Sequence, residues 1–262
     1  MNQKIAIIGC GNLGQAILRG LLDGGVAVEN LTATRRNTDA LAQLASEGVN
    51  VTSNNQAAVK TADIVILALK PYNIEPVMRD INDALTSDKI IVSAATGITM
   101  SSIQQATTHK LPIFRAMPNT AADVKESLTC ICHADASDDH VKLITSLFNK
   151  IGKTIEVDEN LMEAATVLGA CGIAYVLRFI RGMTQGGIEI GFDAETASAI
   201  VSQTVKGAAE LLQARGQHPE HEIDKVTTPR GCTITGLNEM EHNGFSSSLI
   251  KGIRASFDKI EK

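Results

Sequence analysis

The sequence predicts an α/β protein, with a parallel sheet and its helices in the amino-terminal half and helices alone in the carboxy-terminal half. Short runs of consecutive apolar residues recur as far as Val157, and several end in small or polar residues, which is typical of buried parallel strands. A glycine-rich turn joins the first run to a helical pattern. Strand signals stop near Asn160. We therefore predict two domains, residues 1–158 and 159–262.

The first apolar run, Ile5 to Ile8, leads into the turn Gly9-Cys10-Gly11-Asn12-Leu13-Gly14. This is G-x-G-x-x-G spacing between a strand and a helix. The first glycine permits the sharp turn, the second lets the backbone approach a pyrophosphate, and the third lets the helix pack closely on the strand. The free N–H groups of the first helical turn then face the phosphates. The pattern favours a Rossmann dinucleotide-binding domain over a glycine-rich turn in another α/β protein.

The second strand, Leu31 to Thr34, is followed by Arg35 and Arg36. In the usual NAD pattern, an acidic residue at this place accepts hydrogen bonds from the ribose hydroxyls. Two guanidinium groups and a hydroxyl instead favour a 2′-phosphate, because arginine offers paired donors to phosphate oxygens. The sequence therefore predicts NADPH rather than NADH as the cofactor. The alternative is a solvated arginine pair that opens the next loop.

The next segments continue the alternation of helix and strand. A helix capped by Thr38 or Asp39 is expected to reach Glu47, and a third strand spans Val49 to Val51. The run from Asp63 to Leu69 is typical of a central parallel strand, and Lys70-Pro71 follows it. Because ligands of open α/β sheets bind beyond the carboxyl ends of the strands, we expect residues 68–71 to border the cofactor.

Two further strands bring small and polar residues to the same edge of the sheet. Ile90 to Ser93 runs into Ala94-Ala95-Thr96-Gly97, where a nicotinamide ring could lie against the backbone. Ile113 to Met117 ends in Pro118-Asn119-Thr120. Asn119 is a candidate donor to the cofactor amide or to the substrate. The alternative is that Pro-Asn-Thr is simply a turn.

The segment Cys130-Ile131-Cys132-His133 favours a packed strand, with both thiols on one face, over a metal site, because no second pair of ligands follows it. A helix is expected from Asp138 to Ile151 and a last strand from Thr154 to Val157. The five cysteines lack the spacing of a disulfide framework or a zinc ribbon. We therefore predict reduced thiols, no metal and a cytoplasmic location.

Helical patterns occupy the carboxy-terminal half: Leu161 to Leu168, Ile173 to Ile190, Ala194 to Ala214 after an Asp193 cap, and Ser247 to the end. The segment from Ala164 to Gly187 is apolar on more than one face, which indicates burial against another helical layer. That layer could belong to a second copy of the chain, so a homodimer is a hypothesis of the sequence.

A second chemical motif lies at Thr228-Pro229-Arg230-Gly231-Cys232-Thr233. Thr228 is a good helix cap and Pro229 suits a first helical turn, so the N–H groups of Gly231, Cys232 and Thr233 could point outward and attract an anion. In an NADP enzyme the obvious anion is a substrate carboxylate, with the Thr233 hydroxyl nearby. An ordinary capped helix is the alternative.

Charge and hydropathy exclude several classes. The net charge is −5 and the lysines and arginines are scattered, so no basic stripe predicts nucleic acid or an anionic membrane as a partner. We also expect no secretory signal and no uninterrupted apolar run that approaches a membrane span. The expected partner is a small molecule.

Taken together, these motifs resemble the pyrroline-5-carboxylate reductase family. The matching segments are residues 8–14, 68–71, 115–120, 174–176 and 228–234. The resemblance implies reduction of 1-pyrroline-5-carboxylate to L-proline, the last step of proline biosynthesis, and a Rossmann domain followed by a helical domain that interlocks with a second subunit, often within a larger ring. It implies substrate contacts at Cys232 and Thr233, with the Thr233 hydroxyl beside the ring nitrogen. The implied cofactor contacts are Ile8, Gly9, Cys10, Gly11, Asn12, Leu13, Thr34, Arg35, Arg36, Asn55, Ala68, Leu69, Lys70, Pro71, Ala94, Ala95 and Thr96.

The chain departs from the family pattern at a few positions. Ile173 stands where proline is usual, Arg230 where a second glycine is usual, and Cys232 where alanine or threonine is more common. A bulky cation at Arg230 could tighten carboxylate binding or alter which acid fits.

A separate argument favours an imine substrate over a carbonyl. Reduction of a ketone creates an alkoxide, so hydroxyacid dehydrogenases supply a proton donor, commonly lysine or histidine. Between Thr154 and Val205 the chain has neither. Reduction of a protonated imine gives a neutral amine, so orientation does most of the catalysis. The alternatives are another cyclic imine acid, a small carbonyl acid, or an NADP-binding sensor without chemistry.

Overall fold

A computed structural model describes residues 2–260 and contains one eight-stranded sheet in the order β3-β2-β1-β4-β5-β6-β7-β8. The carboxyl ends of its parallel strands share one edge, and the order of the strands in the sheet reverses between β1 and β4. The strands are β1 (Ile5–Ile8), β2 (Leu31–Thr34), β3 (Asn50–Thr52), β4 (Ile64–Leu67), β5 (Ile90–Ser93), β6 (Ile113–Met117), β7 (Ser127–Ala134) and β8 (Gly152–Glu156).

Strands β1 to β6 run parallel to one another, whereas β7 is antiparallel to β6. The connection between β6 and β7 holds only the short 3-10 turn Thr120–Val124, too little chain for the crossover that a parallel neighbour needs. β8 returns to the direction of β7 after a helix, Asp138–Phe148. The predicted α/β half is therefore confirmed, with one reversed pair, and the strand predicted from Cys130 to His133 is longer at both ends.

Helices cover both faces of the sheet. Those of the α/β half are α1 (Asn12–Asp23), α2 (Ala42–Ser46), α3 (Asn55–Thr61), α4 (Ile74–Ile81), α5 (Met100–Gln105) and α6 (Asp138–Phe148). The short helices α3, α4 and α5 were not predicted. The helical stretch predicted from Thr38 or Asp39 begins with a 3-10 turn capped by the Asn37 side chain, which accepts from the Asp39 N–H at 3.0 Å.

Two apolar clusters flank the sheet because successive strand residues point to opposite faces. Along β1, Ile5 and Ile7 belong to one cluster and Ala6 and Ile8 to the other. All four are buried, as expected for a central strand covered on both sides. Cys130 and Cys132 on β7 share one face, as predicted, and pack in the cluster of Ala6 and Ile8.

The carboxy-terminal half is all-helical, as predicted, but its first two predicted helices form one continuous helix from Glu159 to Glu189. A 3-10 turn (Glu159–Leu161) leads into α7 (Met162–Ala165), the π-helical segment Thr166–Cys171 and α8 (Gly172–Glu189). The end of the π-helical segment and the first residue of α8 occupy residues 169–172, where no helix was predicted. The remaining helices are α9 (Ala194–Arg215), α10 (Pro219–Val226), α11 (Cys232–His242) and α12 (Phe245–Ile260).

The residues divide into two compact units, one up to Cys171 together with residues from Phe257 on, and the other Gly172–Ser256. This boundary lies later than the predicted end of the first domain at residue 158. The reason is the buried Arg115 of β6, which is 2 % exposed. Its Nη1 and Nη2 donate to Oε1 of Glu159 at 3.3 Å and Oε1 of Glu163 at 2.7 Å, so the first helical turns belong to the sheet unit.

The Glu159–Glu189 helix is long and apolar enough to cross a membrane, judged by length and composition only. The sequence prediction concerns uninterrupted apolar runs, and it stays a prediction, because this helix reaches its length with charged residues such as Glu163 and Arg178 along it. Much of the apolar surface of α8 is exposed in the single chain, including Leu177, Phe179 and Met183. Exposed apolar surfaces of this kind are typical of protein or membrane interaction sites.

Candidate functional site

A cleft of about 910 Å³ lies along the carboxyl ends of the parallel strands. Its size suits a cofactor, and its position is where open α/β sheets bind ligands. Most of the residues predicted to bind a dinucleotide line it. The lining is Ile8, Gly9, Gly11, Asn12, Leu13, Thr34, Arg35, Arg36, Asn37, Ser53, Asn55, Ala68, Leu69, Lys70, Pro71, Asn73, Val77, Ala94, Thr96 and Thr120.

The glycine turn between β1 and α1 has the geometry that its sequence predicts. Gly9 has a φ of +86°, and a Cβ there would lie 2.3 Å from Cδ2 of Leu69 and 3.0 Å from the oxygen of Ala68. Gly14 is buried, and a Cβ there would lie 3.2 Å from the oxygen of Gly9. At Gly11 a Cβ would meet only that oxygen, at 4.0 Å. The turn thus leaves room for a pyrophosphate beside Gly11.

Helix α1 begins without a polar cap. Gly11 is the residue before its first turn, no side chain bonds to the free N–H groups, and no acidic residue lies in that turn. Those N–H groups are therefore free to bind an anion, which the helix dipole also favours. Together with the open space at Gly11, this fits the phosphates of a dinucleotide.

Thr34, at the end of β2, ties the glycine turn to α3. Its hydroxyl donates to Oδ1 of Asn55 at 2.7 Å and accepts from the N–H of Gly9 at 3.3 Å. Its carbonyl oxygen accepts from the N–H of Cys10 at 2.7 Å. Because the hydroxyl donates to Oδ1 of Asn55, the two amide hydrogens of Asn55 remain available to an acceptor in the cleft.

Arg35 and Arg36 lie at the end of the cleft next to Thr34, and Asn37 and Ser53 complete that end. Nη1 of Arg35 is 3.5 Å from the carbonyl oxygen of Cys10, while Arg36 is exposed. No aspartate or glutamate lines the cleft in the part of the chain from residue 2 to 260. This end of the cleft therefore suits a phosphate rather than bare ribose hydroxyls.

Three of the predicted cofactor residues lie beneath the cleft surface. Cys10, Gly14 and Ala95 are buried and absent from its lining. Burial raises the pKa of the Cys10 thiol to about 12, against a smaller lowering by the charge of Arg35. The thiol is thus neutral at physiological pH and unsuited to nucleophilic chemistry. These three residues shape the turn and the strand end rather than offer side chains to a ligand.

Asn119 is buried and does not line the cleft. Its Oδ1 accepts from the N–H of Ala121 at 2.9 Å, and its Nδ2 donates to the oxygen of Gly169 at 3.1 Å. The amide thus caps the 3-10 turn after β6 and binds the π-helical segment. The geometry favours the turn that the sequence left open as an alternative, and the next residue, Thr120, is the one that reaches the cleft.

The second predicted motif, residues 228–233, belongs to the helical unit Gly172–Ser256. Thr228, Pro229, Arg230 and Gly231 form a turn closed by a 2.9 Å bond from the N–H of Gly231 to the oxygen of Thr228. Arg230 has a φ of +62°, and a proline followed by a residue of positive φ is the pattern of a type II turn. Glycine, which is usual at this position in the family that the sequence resembles, adopts a positive φ more readily than arginine does.

The start of α11 corrects the predicted capping. Gly231, not Thr228, precedes the first turn, and no side chain caps it. The N–H of Gly231 is used in the preceding turn, so it is not available to an anion. Cys232 and Thr233 are exposed in the first turn of the helix, whose N–H groups lack helical partners. The free N–H groups on which the predicted anion binding depends are therefore those of the first turn that starts at Cys232 and Thr233.

Five cleft residues were missed: Asn37, Ser53, Asn73, Val77 and Thr120. Ser53 and Thr120 follow strands β3 and β6, so the rule that ligands lie beyond strand ends contained the signal for both. Asn37 follows directly on the arginine pair. Asn73 and Val77 lie at and beyond the start of α4, a helix that was itself not predicted, and no local pattern pointed to them.

Comparison with known proteins matches both halves of the chain. Residues 159–262 match the family described as pyrroline-5-carboxylate reductase dimerisation. Residues 4–97 match the family described as NADP oxidoreductase, coenzyme F420-dependent. The two matches cover the cleft's glycine turn and the whole helical half.

Individual relatives match over nearly all of the chain. Pyrroline-5-carboxylate reductase 2 of Dictyostelium discoideum is 40% identical, with 100% of this chain and 93% of the relative covered. Pyrroline-5-carboxylate reductase 1 of the same organism is 43% identical over 97% of this chain, which spans only about half (49%) of that relative's length. The NADP-bound crystal structure of Plasmodium falciparum pyrroline carboxylate reductase matches with a TM-score of 0.89 at 27% identity, covering 99% of this chain and 97% of that one.

Proposed function

Because the chain belongs to the pyrroline-5-carboxylate reductase family, we propose that it reduces 1-pyrroline-5-carboxylate to L-proline with NADPH. The main support for this proposal is the similarity to pyrroline-5-carboxylate reductases over the whole chain, which includes both the nucleotide cleft and the turn before α11. The direct test is the loss of NADPH absorbance with 1-pyrroline-5-carboxylate, with proline identified chromatographically. Consumption of NADPH without formation of proline would contradict the proposal.

Two rival functions have their own outcomes in this assay. A reductase of another cyclic imine acid or of a small carbonyl acid would turn over a six-membered imine acid or a 2-oxo acid faster than the five-membered ring. An NADP-binding sensor would bind the cofactor and consume none of it with any acid. The absence of lysine and histidine between Thr154 and Val205 speaks against the carbonyl acid, because no such proton donor is available there.

NADPH fits the cleft of the α/β half. Gly9, Gly11 and the open first turn of α1 would hold the pyrophosphate, and Arg35 with Arg36 would hold the 2′-phosphate. When bound, NADPH supplies the hydride that the imine carbon accepts. We propose a preference for NADPH over NADH, because the guanidinium groups bind a phosphate that NADH lacks.

The protein's part at the substrate is to hold and orient it. We assign the carboxylate of 1-pyrroline-5-carboxylate to the free N–H groups at the start of α11, at Cys232 and Thr233. The Thr233 hydroxyl is assigned to the ring nitrogen, which becomes a neutral amine when the ring carbon has accepted hydride. No oxyanion forms, so fixed orientation by a helix end and a hydroxyl provides most of the rate.

Replacing Thr233 by alanine is expected to lower kcat roughly 10- to 100-fold, because the imine loses the hydroxyl that orients it. The Kd of NADPH is expected to stay within about twofold, since Thr233 is not part of the cleft lining. Steady-state kinetics and NADPH fluorescence titration measure the two effects. Thr233→Ser serves as the matched control and should keep most of the activity. Wild-type turnover in Thr233→Ala would remove Thr233 from this role.

We propose that a second copy of the chain covers the exposed apolar surface of the helical unit. The match of residues 159–262 to a dimerisation domain supports this, and α8 and α12 carry exposed Leu177, Phe179 and Ile250. On this proposal a protein partner, rather than lipid, covers the exposed apolar surface of the Glu159–Glu189 helix. We propose that the same surface also allows dimers to assemble into a larger ring.

The location that we propose is the cytoplasm. The five cysteines are free thiols, which suits a reducing compartment of this kind.

Sedimentation velocity over a concentration series is expected to show a homodimer, because an exposed apolar surface of this extent is unfavourable in water. Leu177→Glu places a charge on this surface and is expected to shift the distribution toward monomer. Leu128→Glu, at a half-exposed position on β7, is the control and should leave the distribution unchanged. A wild-type protein that sediments as a monomer at all concentrations would exclude the dimer.

A further inference from the structure

Asn119 was expected to provide a polar group at the mouth of the sheet, yet its amide has other partners. Oδ1 accepts from the N–H of Ala121, and Nδ2 donates to the oxygen of Gly169. In addition, its own N–H donates to Oγ of Ser127 at 3.0 Å. Asn119 therefore holds the 3-10 turn Thr120–Val124 in place, and it contributes no side-chain atom to the cleft lining.

Thr120 is the residue that this turn presents to the cleft. It is exposed, lines the same cleft as Ala94 and Thr96, and is the first residue of the turn that Asn119 caps. Within residues 2–260 its hydroxyl has no hydrogen-bond partner. Because Asn119 fixes the turn from the inside, the backbone that carries this hydroxyl has a defined position at the surface of the cleft.

The place of Thr120 in the sheet indicates which part of the cofactor it meets. In a doubly wound sheet the dinucleotide spans the crevice where the strand order reverses, with one half of the cofactor on each side. Here the reversal lies between β1 and β4, and the arginine pair follows β2 on one side. Thr120 follows β6 on the other side, which is the side of the nicotinamide.

We propose that the Thr120 hydroxyl binds the carboxamide of the nicotinamide and so fixes the rotation of the ring. A threonine hydroxyl both donates and accepts, and the carboxamide offers an acceptor oxygen and a donor NH₂ group. This inference rests on the proposed use of NADP(H). It adds a residue that acts on ring orientation, whereas the glycine turn and the arginines act on the phosphates.

The test compares two ligands that differ in the nicotinamide. In Thr120→Val the Kd of NADP⁺ is expected to rise about three- to tenfold, the range for loss of one neutral hydrogen bond. The Kd of 2′-phospho-ADP-ribose, which has no nicotinamide, is expected to stay within about twofold, since that ligand makes no contact with Thr120. Isothermal titration calorimetry without any acid substrate measures both constants, so the result does not depend on the identity of the substrate.

Two variants control for indirect effects. Thr120→Ser keeps the hydroxyl and should bind NADP⁺ like the wild type. Thr61→Val, at the far end of α3 from the cleft, loses a hydroxyl that bonds only to the oxygen of Ala58 and should change neither constant. Equal weakening of both ligands in Thr120→Val, or no weakening of NADP⁺, would overturn the inference. Failure of the wild type to bind NADP⁺ at all would instead overturn the proposed function.

Discussion

Replacing Arg35 and Arg36 together by serine is expected to weaken NADPH binding about 100-fold, equivalent to roughly 3 kcal/mol. Each guanidinium can form charge-assisted hydrogen bonds with the 2′-phosphate, and no carboxylate in the cleft lining competes for them. The Kd of NADH is expected to change by less than about threefold, because NADH has no phosphate at that position. Fluorescence titration with both reduced cofactors measures the change in preference.

Arg19→Ser is a suitable control for this double substitution. Arg19 lies on α1, outside the cleft lining, and its Nη1 is 3.6 Å from Oε1 of Glu47. We expect its replacement to leave both cofactor affinities unchanged, because surface ion pairs contribute little. If the double variant weakened NADPH and NADH equally, the arginines would not be selecting the 2′-phosphate.

Replacing Gly20 by alanine is expected to lower the free energy of unfolding by about 3 kcal/mol, near the upper end of what overpacking costs. A Cβ at Gly20 of α1 would lie 2.2 Å from the oxygen of Ala122 and 2.8 Å from Cγ2 of Ile151. The first of these atoms is backbone, and the N–H of Lys125 already donates to it at 3.1 Å. The clash could be relieved only if the whole 3-10 turn Thr120–Val124 moved away from α1.

Urea denaturation followed by circular dichroism measures this loss. Gly207→Ala is the matched control, since Gly207 lies within the long helix α9 and a Cβ there meets nothing within 4 Å. That variant should be as stable as the wild type or slightly more stable, because alanine favours helix over glycine by about 1 kcal/mol. If Gly20→Ala had the same urea midpoint as the wild type, the turn would move without a measurable cost, which would contradict the prediction.

Much of the sheet could be predicted from the sequence because its signals are local. Four buried apolar residues in a row identify β1 and β4, and the glycines at 9, 11 and 14 identify the turn between β1 and α1. The reversed direction of β7 was not predicted. It depends on the length of the link from β6, and the apolar pattern is the same in either direction.

Sequence reasoning missed other features for different reasons: a distant partner, a local backbone conformation, or too short a pattern. By its residue type and position Asn119 could donate to a cofactor. Its amide nitrogen instead donates to the oxygen of Gly169, fifty residues later in the chain, which the local sequence does not indicate. Thr228 is a good cap by residue type, but the left-handed conformation of Arg230 moves the start of α11 to Cys232. The short helices α3, α4 and α5 hold six to eight residues of mixed pattern, too few for a clear period.

The buried Arg115 has a practical consequence for anyone who wishes to dissect the two halves. Truncation after Asp158 would follow the boundary suggested by composition, yet it would remove both Glu159 and Glu163 and leave a guanidinium inside the sheet without a counter-charge. A buried charge left without its partners costs about 3 to 5 kcal/mol, a large share of the stability of a typical domain. A fragment that extends through Cys171 keeps both carboxylates and all of the sheet unit except the residues from Phe257 on, so it is better suited to separate expression.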